Sequence, residues 1–415
     1  MKVLHIITGL DVGGAEQQLR LLLRHCDVRS AVVTLTEPGP LAEAIRADGV
    51  PVTALRMSGN RDIGALPRLT ALIRAGEYDV VHTHLYRACV YGRIAARLAG
   101  VRTIVATEHS LGASSIEGRP LSLGTRALYR ATERLGHGTF AVSATVARRL
   151  AEWGVPARRI HLVPNGIEPG RFRFDAGARA RTRDRLGIPQ DAYVVGGVGR
   201  QVPGKRFDAV VRAVADNPGT HLLLAGDGIE RVPLLRLVHS LGLQNRALVV
   251  DPTVHGVPDL LSAMDLFVTA SEDEAFGLAA LEALAAGLPV RYVTCPAVED
   301  LPPEAAPGAR QVAPDQLAAA VREEHLAGPR RLPPPQAVEH YHIARTAELV
   351  TARYLEAHHR GGLFRRRRTP VPAAVPRPAG PAAPAAQEAA AAPPAAAQQA
   401  PAPAAEDTPA TPAQK

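Results

Sequence analysis

The strongest constraint on the fold of this 415-residue chain is a repeated alternation of short apolar segments with amphipathic segments. The apolar segments are rich in Val, Ile and Thr and have the length of buried strands. In the first part of the chain they cover residues 3–8, 30–36, 52–55, 80–84, 103–107, 139–142 and 160–164. The segments between them, at 14–24, 41–49, 63–75, 88–99 and 144–153, carry apolar residues at helical spacing. This alternation predicts a parallel α/β sheet flanked by helices.

A second block of the same kind follows a polar, arginine-rich segment. Its predicted strands cover residues 193–199, 221–225, 247–251, 266–270 and 289–294, and its predicted helices cover 207–215, 232–241, 257–263, 277–286 and 316–324. We expect an α/β chain with a first Rossmann-like domain over 1–167, a linker region over 168–190 and a second Rossmann-like domain over 191–336. The two domains are expected to face a cleft lined by strand carboxyl ends and helix N-termini.

The end of the chain has a different composition. Residues 337–360 have a helical pattern, and we expect this helix to pack back across the domains. From 361 to 415 the chain has four consecutive arginines, Arg365–Arg368, and then an Ala/Pro-rich segment. This tail lacks the large apolar residues that offset the entropy of ordering a chain, so we predict that it is disordered. The arginines are either a solvated flank or a contact with an anionic membrane surface.

Charge and aromatic content limit the class of partner. The formal net charge is +8, and most of the excess is arginine, which suits phosphate, phospholipid or nucleic acid equally well. Aromatic residues make up only 4% of the chain, which argues against a surface that stacks bases. No nucleic-acid recognition motif accompanies the arginines. We therefore expect an anionic partner that is not a nucleic acid.

Cysteine spacing and hydropathy bear on the location of the protein. Cys26, Cys89 and Cys295 are scattered and form no C-x-x-C pair, so they predict neither a disulfide framework nor a zinc site. No window of about 20 apolar residues occurs in the sequence, and the apolar run at the N-terminus is typical of a first strand. These features predict a cytoplasmic protein with reduced thiols.

Adjacent glycines follow the first predicted strand, in the sequence G-L-D-V-G-G-A-E at 9–16. Gly13 and Gly14 would let backbone amides approach a ligand where the first helix begins. The spacing is not G-x-G-x-x-G, and no acidic residue ends a second strand, so a dinucleotide site is not predicted. On its own the loop fits a substrate contact and an ordinary turn equally well.

Two cations follow the first strand of the second domain, in the sequence G-R-Q-V-P-G-K-R at 199–206. Arg200 and Lys205 lie between a strand end and a helix start, where a diphosphate can be held without a metal. The alternative is a pair of surface cations. Their position at a strand carboxyl end favours the phosphate interpretation.

The most informative segment is S-E-D-E-A-F-G-L-A-A-L-E-A at 271–283, between an apolar strand and a helix. Glu274 and Glu282 are eight residues apart, one in the loop and one two turns into the helix. The N–H groups of Phe276, Gly277 and Leu278 are free at the helix start and would point at the same ligand. One carboxylate can accept hydrogen bonds from paired ribose hydroxyls while the other meets a sugar. Ordinary acids at a helix N-terminus are the alternative, which the full string disfavours.

Three histidines lie at predicted strand ends of the first domain. His109 is just past a strand and is expected to face the cleft, although His82 and His84 compete for the same role. A lone histidine is also compatible with a purely structural role. Two imidazoles on one strand without a third ligand do not make a metal site, so no metal is predicted.

Together these segments resemble the retaining GT-B glycosyltransferases of family four, from about residue 1 to residue 357. The string at 271–290 resembles that family's E-x7-E signature. Further similar segments are V-V-H-T-H at 80–84, V-S at 142–143, V-P-N-G-I at 163–167 and L-A-G-D-G at 224–228. One segment differs: residues 291–297 replace the usual small residues and glycine, and Glu299 is the only candidate for the acid of the usual turn.

The resemblance implies a fold, an activity and a set of roles. It implies that Glu282 binds the donor ribose, Glu274 binds the transferred sugar, and Arg200 and Lys205 neutralise the diphosphate in place of a metal. It implies further that Gly14 contacts the donor phosphate or the acceptor and that His109 lies near the sugar 6-hydroxyl. No cofactor is expected.

The implied reaction is transfer from a UDP- or GDP-sugar to a glycan or lipid-linked acceptor with retention of anomeric configuration. Lipid-linked acceptors would place the protein peripherally at the inner membrane face, in keeping with its basic charge. Two alternatives stay open: a non-catalytic protein that binds a nucleotide sugar as a scaffold, motivated by the altered segment after Gly287, and a nucleotide-sugar epimerase that needs no acceptor.

Overall fold

The computed structural model describes residues 1–59, 62–112, 115–116 and 119–363. The strands of its first domain are β1 (Lys2–Ile7), β2 (Arg29–Thr34), β3 (Val52–Ala54), β4 (Val80–His84), β5 (Thr103–Glu108), β6 (Ser115–Ile116), β7 (Arg119–Pro120), β8 (Gly138–Ala141) and β9 (Ile160–Leu162). Its helices are α1 (Gly14–His25), α2 (Leu41–Ala47), α3 (Ala65–Gly76), α4 (Tyr86–Leu98), α5 (Leu123–Glu133) and α6 (Ala144–Glu152), with a 3-10 turn at Ala157–Arg159.

The elements after the first sheet belong mainly to the second domain. Its strands are β10 (Tyr193–Val198), β11 (Thr220–Ala225), β12 (Ala247–Val250), β13 (Leu266–Thr269), β14 (Val290–Tyr292) and β15 (Ala309–Gln311). The helices are α7 (Ala176–Leu186), α8 (Phe207–Ala215), α9 (Arg231–Ser240), α10 (Pro252–His255), α11 (Val257–Ala263), α12 (Leu278–Ala285), α13 (Pro296–Glu299), α14 (Leu317–Ala327), α15 (Gln336–His340) and α16 (Ile343–Leu363). Short 3-10 turns lie at Pro169–Phe172, Pro203–Lys205, Pro303–Ala305 and Pro314–Gln316.

Both large sheets are parallel and doubly wound. The first has the strand order β3-β2-β1-β4-β5-β8-β9 and the second β12-β11-β10-β13-β14-β15. β6 and β7 form a separate antiparallel pair. The strand order reverses beside β1 in the first sheet and beside β10 in the second, and such reversal points are where ligands bind in folds of this kind. The predicted pair of Rossmann-like sheets is therefore confirmed.

The central strands of both sheets are buried almost throughout. In β1, the residues from Val3 to Ile7 are at most 1% exposed. Buried parallel strands of this kind carry nearly continuous apolar runs, which is why the sequence predicts them so directly.

The segment between the sheets is anchored on the second domain. Asp175 caps α7 by accepting a hydrogen bond from the N–H of Ala178 at 2.9 Å. The fully buried guanidinium of Arg183 in α7 donates to Asp265 Oδ2 at 2.8 Å. The arginines of the predicted linker thus hold α7 against α11. This segment has too few apolar residues to do so by apolar packing.

The last helix of the described chain returns to the first domain. Ala347, Val350 and Tyr354 of α16 pack in one cluster with Val3 and Val105 of the first sheet. No helix within the described residues is both long and apolar enough to cross a membrane. α16 runs to Leu363, and the rest of the predicted tail, with Arg365–Arg368, lies outside the described residues.

Candidate functional site

The predicted site segments all follow strands at or next to the two reversal points. The glycine loop follows β1, His109 follows β5, the segment 199–206 follows β10, and the segment 271–277 follows β13. Because parallel strands end at one edge of their sheet, each domain collects its site residues along one edge.

The two domains meet at the glycine loop. A Cβ added to Gly14, the first residue of α1, would lie 3.4 Å from Leu278 Cδ1 at the start of α12. This contact joins two segments that the sequence placed in different domains. Gly13, directly before Gly14, is the N-cap of α1. The loop and the helix start therefore line opposite sides of one cleft.

The start of α12 is built around Gly277. Its φ of 102° lies in the left-handed region, and a Cβ there would fall 2.5 Å from Cys295 Sγ. Only glycine satisfies both conditions without strain. The N–H groups of Phe276, Gly277 and Leu278 form no hydrogen bond with the described residues, so the helix presents free donors to the cleft.

Lys205 and Glu274 are paired with each other. The Nζ of Lys205 donates to Glu274 Oε2, and the side chains are 29% and 15% exposed. Arg206 makes a parallel ion pair with Glu272 between the same two loops. Arg200 is exposed and has no ion pair within the described residues. Of the two predicted diphosphate ligands, one is therefore free and the other is held by the loop expected to bind the sugar.

Glu282 is the most perturbed acid of the site. Burial raises the pKa of its carboxyl from 4.5 to about 7, although the guanidinium of Arg171 opposes this shift. Glu282 has no ion pair within the described residues. Glu282 remains half-buried, and a partly desolvated acid without an ion pair can accept hydrogen bonds from a ligand.

The half-buried His109 is one end of a row of imidazoles whose other members, His84 and His5, are buried. Its Nε2 lies 3.1 Å from His84 Nδ1, and His84 Nε2 lies 3.1 Å from His5 Nδ1. His82 lies beside this row but forms its hydrogen bonds elsewhere, with Nδ1 2.6 Å from the Tyr354 hydroxyl and Nε2 2.7 Å from Thr107 Oγ1. Of the three candidates in the sequence, His84 and His109 act together and His82 contacts the last helix.

The expectation that no third imidazole accompanies His82 and His84 was wrong. His5 pairs with His82 in the register of β1 and β4, and one nitrogen from each of the three rings lies within 4.8 Å of the others. Both nitrogens of His82 are nevertheless bound by hydroxyl groups, so this residue has none left for a metal. The cluster fits a hydrogen-bonded network better than a metal centre.

Two contacts between the domains were not visible in the sequence. Arg149 of α6 donates to Asp273 Oδ1 and to the carbonyl of Leu111, both at 2.7 Å. Asp300 Oδ2 accepts a hydrogen bond from the N–H of Ala144, at the start of α6, at 2.7 Å. Helix α6 therefore connects the loop after β5 to the loop that carries Glu274.

The altered segment after Gly287 keeps a capped turn. Glu299 Oε1 accepts a hydrogen bond from the N–H of Cys295 at 2.7 Å and so caps the turn. The thiol of Cys295 is buried against the carbonyls of Phe276 and Gly277. The side chain of Cys295 thus packs under the start of α12.

Two family models cover most of the described chain. Residues 12–171 match the one described as Glycosyltransferase Family 4, and residues 178–301 match Glycosyl transferases group 1. The chain belongs to glycosyltransferase family 4.

Curated relatives of this family 4 chain act on different acceptors. The D-inositol 3-phosphate glycosyltransferase of Acidothermus cellulolyticus is 34% identical over 279 residues, which are 61% of this chain and 59% of the relative. The UDP-Gal:alpha-D-GlcNAc-diphosphoundecaprenol alpha-1,3-galactosyltransferase of Escherichia coli is 30% identical over 275 residues, 61% of this chain and 68% of the relative. The family 4 chain thus spans less than two thirds of the first relative's length.

A solved structure identifies the fold. The crystal structure of Anabaena Alr3699/HepE in complex with UDP and glucose superimposes on the family 4 chain with a TM-score of 0.70 at 21% identity. The match covers 88% of this chain and 99% of the other. The two parallel Rossmann-like sheets are therefore the GT-B arrangement that the sequence predicted.

Proposed function

We propose that this chain transfers a sugar from a UDP-sugar to a glycan or lipid-linked acceptor, with retention of configuration and without a metal. The observations that support the proposal are, within the described residues, free N–H groups at a helix start, a half-buried acid without an ion pair in the same helix, and two cations in the loop after β10. The start of α12 supplies the N–H groups, Glu282 is the acid, and Arg200 and Lys205 are the cations.

The donor is assigned to the second domain. Glu282 accepts hydrogen bonds from the ribose hydroxyls, since its carboxyl has no competing ion pair. The diphosphate lies between the N–H groups of α12 and the cations after β10, where the helix dipole favours negative charge. Glu274 binds sugar hydroxyls after it releases Lys205. UDP is preferred to GDP because the HepE structure of similar fold holds UDP.

The reaction needs positive charge where the bond breaks. As the bond from the anomeric carbon to the diphosphate opens, negative charge grows on the leaving oxygen. Lys205, Arg200 and the helix N–H groups stabilise that charge in place of a metal ion. The acceptor hydroxyl attacks from the same face and passes its proton to the departing phosphate oxygen. His109 contacts the sugar 6-hydroxyl.

The acceptor is assigned to the first domain, beside Gly13 and Gly14. The name of the Escherichia coli relative gives a diphosphoundecaprenol-linked acceptor, and a lipid-linked acceptor is proposed here on that basis. Arg365–Arg368 would then hold the protein at the inner, anionic face of a membrane.

Calorimetry with the full chain tests the donor assignment. UDP-glucose, UDP-galactose, GDP-mannose and ADP-glucose are titrated with magnesium and again with EDTA. We expect one UDP-sugar to bind equally in both conditions, and Glu282→Gln to weaken it by about tenfold or more, since hydrogen bonds to a charged group contribute about 1.5–3 kcal/mol. Arg310→Ala, in an exposed ion pair with Glu323, is the control. Binding of none of the four, or binding only with magnesium, would contradict the proposal.

Product analysis separates the alternatives. A glycosyltransferase releases UDP and slowly hydrolyses its donor when water replaces the acceptor. A scaffold binds the donor and leaves it intact over days, and an epimerase converts it to a second UDP-sugar without releasing UDP. Release of UDP by the wild-type protein that is abolished in Glu282→Gln supports transfer. An intact donor would instead support a scaffold, and conversion to a second UDP-sugar would support an epimerase.

A further inference from the structure

We infer that His84 and His5 are positioning residues for His109: through a row of three neutral imidazoles they fix whether His109 Nδ1 donates or accepts a hydrogen bond with the sugar of the donor. The inference rests on the proposed function for its ligand. The row itself consists of the contacts His5 Nδ1 to His84 Nε2 and His84 Nδ1 to His109 Nε2, both 3.1 Å.

Strand periodicity explains why the row exists. Side chains alternate between the two faces of a strand, and residues opposite each other in register share a face. His5 is opposite His82 in β4, and His84 is opposite Thr107 in β5. His84 and His109 are each two residues further along the same face. The rings of His5 and His84, and those of His84 and His109, are stacked with centroids 5.4 Å apart.

His5 and His84 are buried and His109 is half-buried, and this loss of water keeps all three imidazoles neutral. Burial lowers the pKa of His5 to about 3 and that of His109 to about 4, and it holds the pKa of His84 well below its ordinary value. A neutral imidazole has one donor and one acceptor nitrogen. Two consecutive hydrogen bonds therefore force all three rings into one direction. The tautomer of His5 determines that of His84, which determines that of His109.

Within the part of the chain that the structure describes, the row of imidazoles ends at His109 in an unpaired nitrogen atom. His109 Nδ1 is buried and has no hydrogen-bond partner within the described residues. A buried polar atom left unpaired costs about 1–3 kcal/mol, so a ligand hydroxyl at this position would be favoured.

The location of His109 agrees with a sugar contact. The carbonyl of Leu111, two residues along, accepts a hydrogen bond from Arg149, whose other terminal nitrogen donates to Asp273 beside Glu274. The loop that carries His109 is thus joined through one side chain to the loop proposed to bind the sugar.

The fold offers a matched control in the same cluster. His82 lies beside His84, with ring centroids 4.1 Å apart, but both of its nitrogens are bound by the hydroxyls of Tyr354 and Thr107. Tyr354→Phe removes one buried hydrogen bond to His82 and leaves the row intact. Any general effect of disturbing this core should appear in Tyr354→Phe as well.

Selective 15N-histidine NMR tests the row without any ligand. The wild-type protein should show one tautomer for His109, assigned with His109→Gln. His5→Leu, which removes the first partner, should give a mixture or the other tautomer. His5→Asn, which keeps a donor and an acceptor near the Nδ1 position, and Tyr354→Phe should retain the wild-type tautomer. A His109 tautomer unchanged in His5→Leu would overturn the inference, as would zinc that shifts the signals of His5, His82 and His84 together.

Calorimetry tests the consequence for the donor. His5→Leu should lower the affinity for the UDP-sugar by about three- to tenfold, which is the range of one neutral hydrogen bond. Its affinity for UDP should be unchanged. His5→Asn should restore the affinity for the UDP-sugar, and Tyr354→Phe should match the wild-type protein. Equal losses for UDP and the UDP-sugar, or no loss for either, would overturn the inference. Absence of nucleotide binding in the wild-type protein would instead refute the proposed function, and the NMR result would still decide whether the row sets the tautomer.

Discussion

Lys205 and Glu274 form an ion pair across the mouth of the second-domain site. Two side chains proposed to hold different parts of a donor are therefore bound to each other in the free protein. Both are partly exposed, and ion pairs of this kind contribute about 0–1 kcal/mol. A diphosphate and a sugar hydroxyl can replace such a pair at small cost. The pair keeps both groups in place before the donor arrives.

The two members of this pair should respond differently to substitution. Lys205→Ala should weaken the binding of UDP and of UDP-glucose alike by about tenfold, because it removes the proposed charged contact to the diphosphate. Glu274→Gln should weaken only UDP-glucose and leave UDP unchanged or tighter, because it frees Lys205. Calorimetry with both ligands measures this, and Arg310→Ala is the control. If Glu274→Gln weakened the binding of UDP as much as that of UDP-glucose, Glu274 would contact the nucleotide part of the donor and not the sugar.

Donor affinity should depend on the ionisation of Glu282. Burial raises its pKa to about 7, and the ionised form is the one proposed to accept hydrogen bonds from the ribose hydroxyls. Affinity for UDP-glucose should therefore rise about tenfold from pH 6 to pH 8. The diphosphate of UDP-glucose does not titrate in this range. Glu282→Gln should bind weakly at every pH, and a slope that persists in this variant would point to another group.

The same acid should set a trend in stability. The pKa of Glu282 is raised from 4.5 to about 7 in the folded protein, so its contribution is present below pH 4.5 and lost as the pH rises through 7. Relative to the wild-type protein, the thermal midpoint of Glu282→Gln without ligand should therefore rise from pH 6 to pH 8. A constant difference between the two midpoints would disprove the raised pKa.

Packing at Gly277 should be separable from its backbone strain. In Gly277→Ala the new Cβ sits on a backbone with a φ of 102° and lies 2.5 Å from Cys295 Sγ. This substitution should lower the free energy of unfolding by roughly 1–3 kcal/mol and weaken donor binding. Adding Cys295→Ala removes the sulfur and should restore part of the loss. Gly242→Ala, where φ is 67° and no atom lies within 4 Å, measures the backbone part alone. Denaturant unfolding compares the three, and no gain in the double variant would exclude the sulfur contact.

The contact between Arg149 and Asp273 should hold the domains closed. Asp273→Asn removes an ion pair of about 0.2–1 kcal/mol, which increases the open population by roughly 1.4- to fivefold. Small-angle X-ray scattering should then show a larger radius of gyration without donor, with Glu323→Gln as control. Identical scattering curves for Asp273→Asn and the wild-type protein would show that other contacts hold the domains.

Much of the fold follows from the sequence because buried parallel strands and loop glycines have strong local patterns. The strands of both sheets were predicted, except β15, which has three residues without a continuous apolar run. Helices α5 and α7 were missed; α7 is rich in arginine, and buried charge pairs replace apolar packing in it.

The site was predicted only in part, since its contacts depend on tertiary structure. The loops could be placed at strand ends, but the proximity of His5 to His84 depends on strand register. The pairing of Lys205 with Glu274 depends on how two loops fold over one edge. The thiol under Gly277 has no local signal, because Cys295 is 18 residues away in sequence and in a segment that departs from the family pattern.

The return of α16 to the first sheet has a consequence for how the protein is made. The hydroxyl of Tyr354 satisfies His82, and its ring packs against the face that carries the histidine row. A ribosome completes this helix only after the whole second domain, at roughly 5–20 residues per second. The nascent first domain must therefore wait on the order of ten seconds or more with an uncovered face of histidines and valines. During that interval it is a natural client for a chaperone, and a protein truncated before α16 should share the same need permanently.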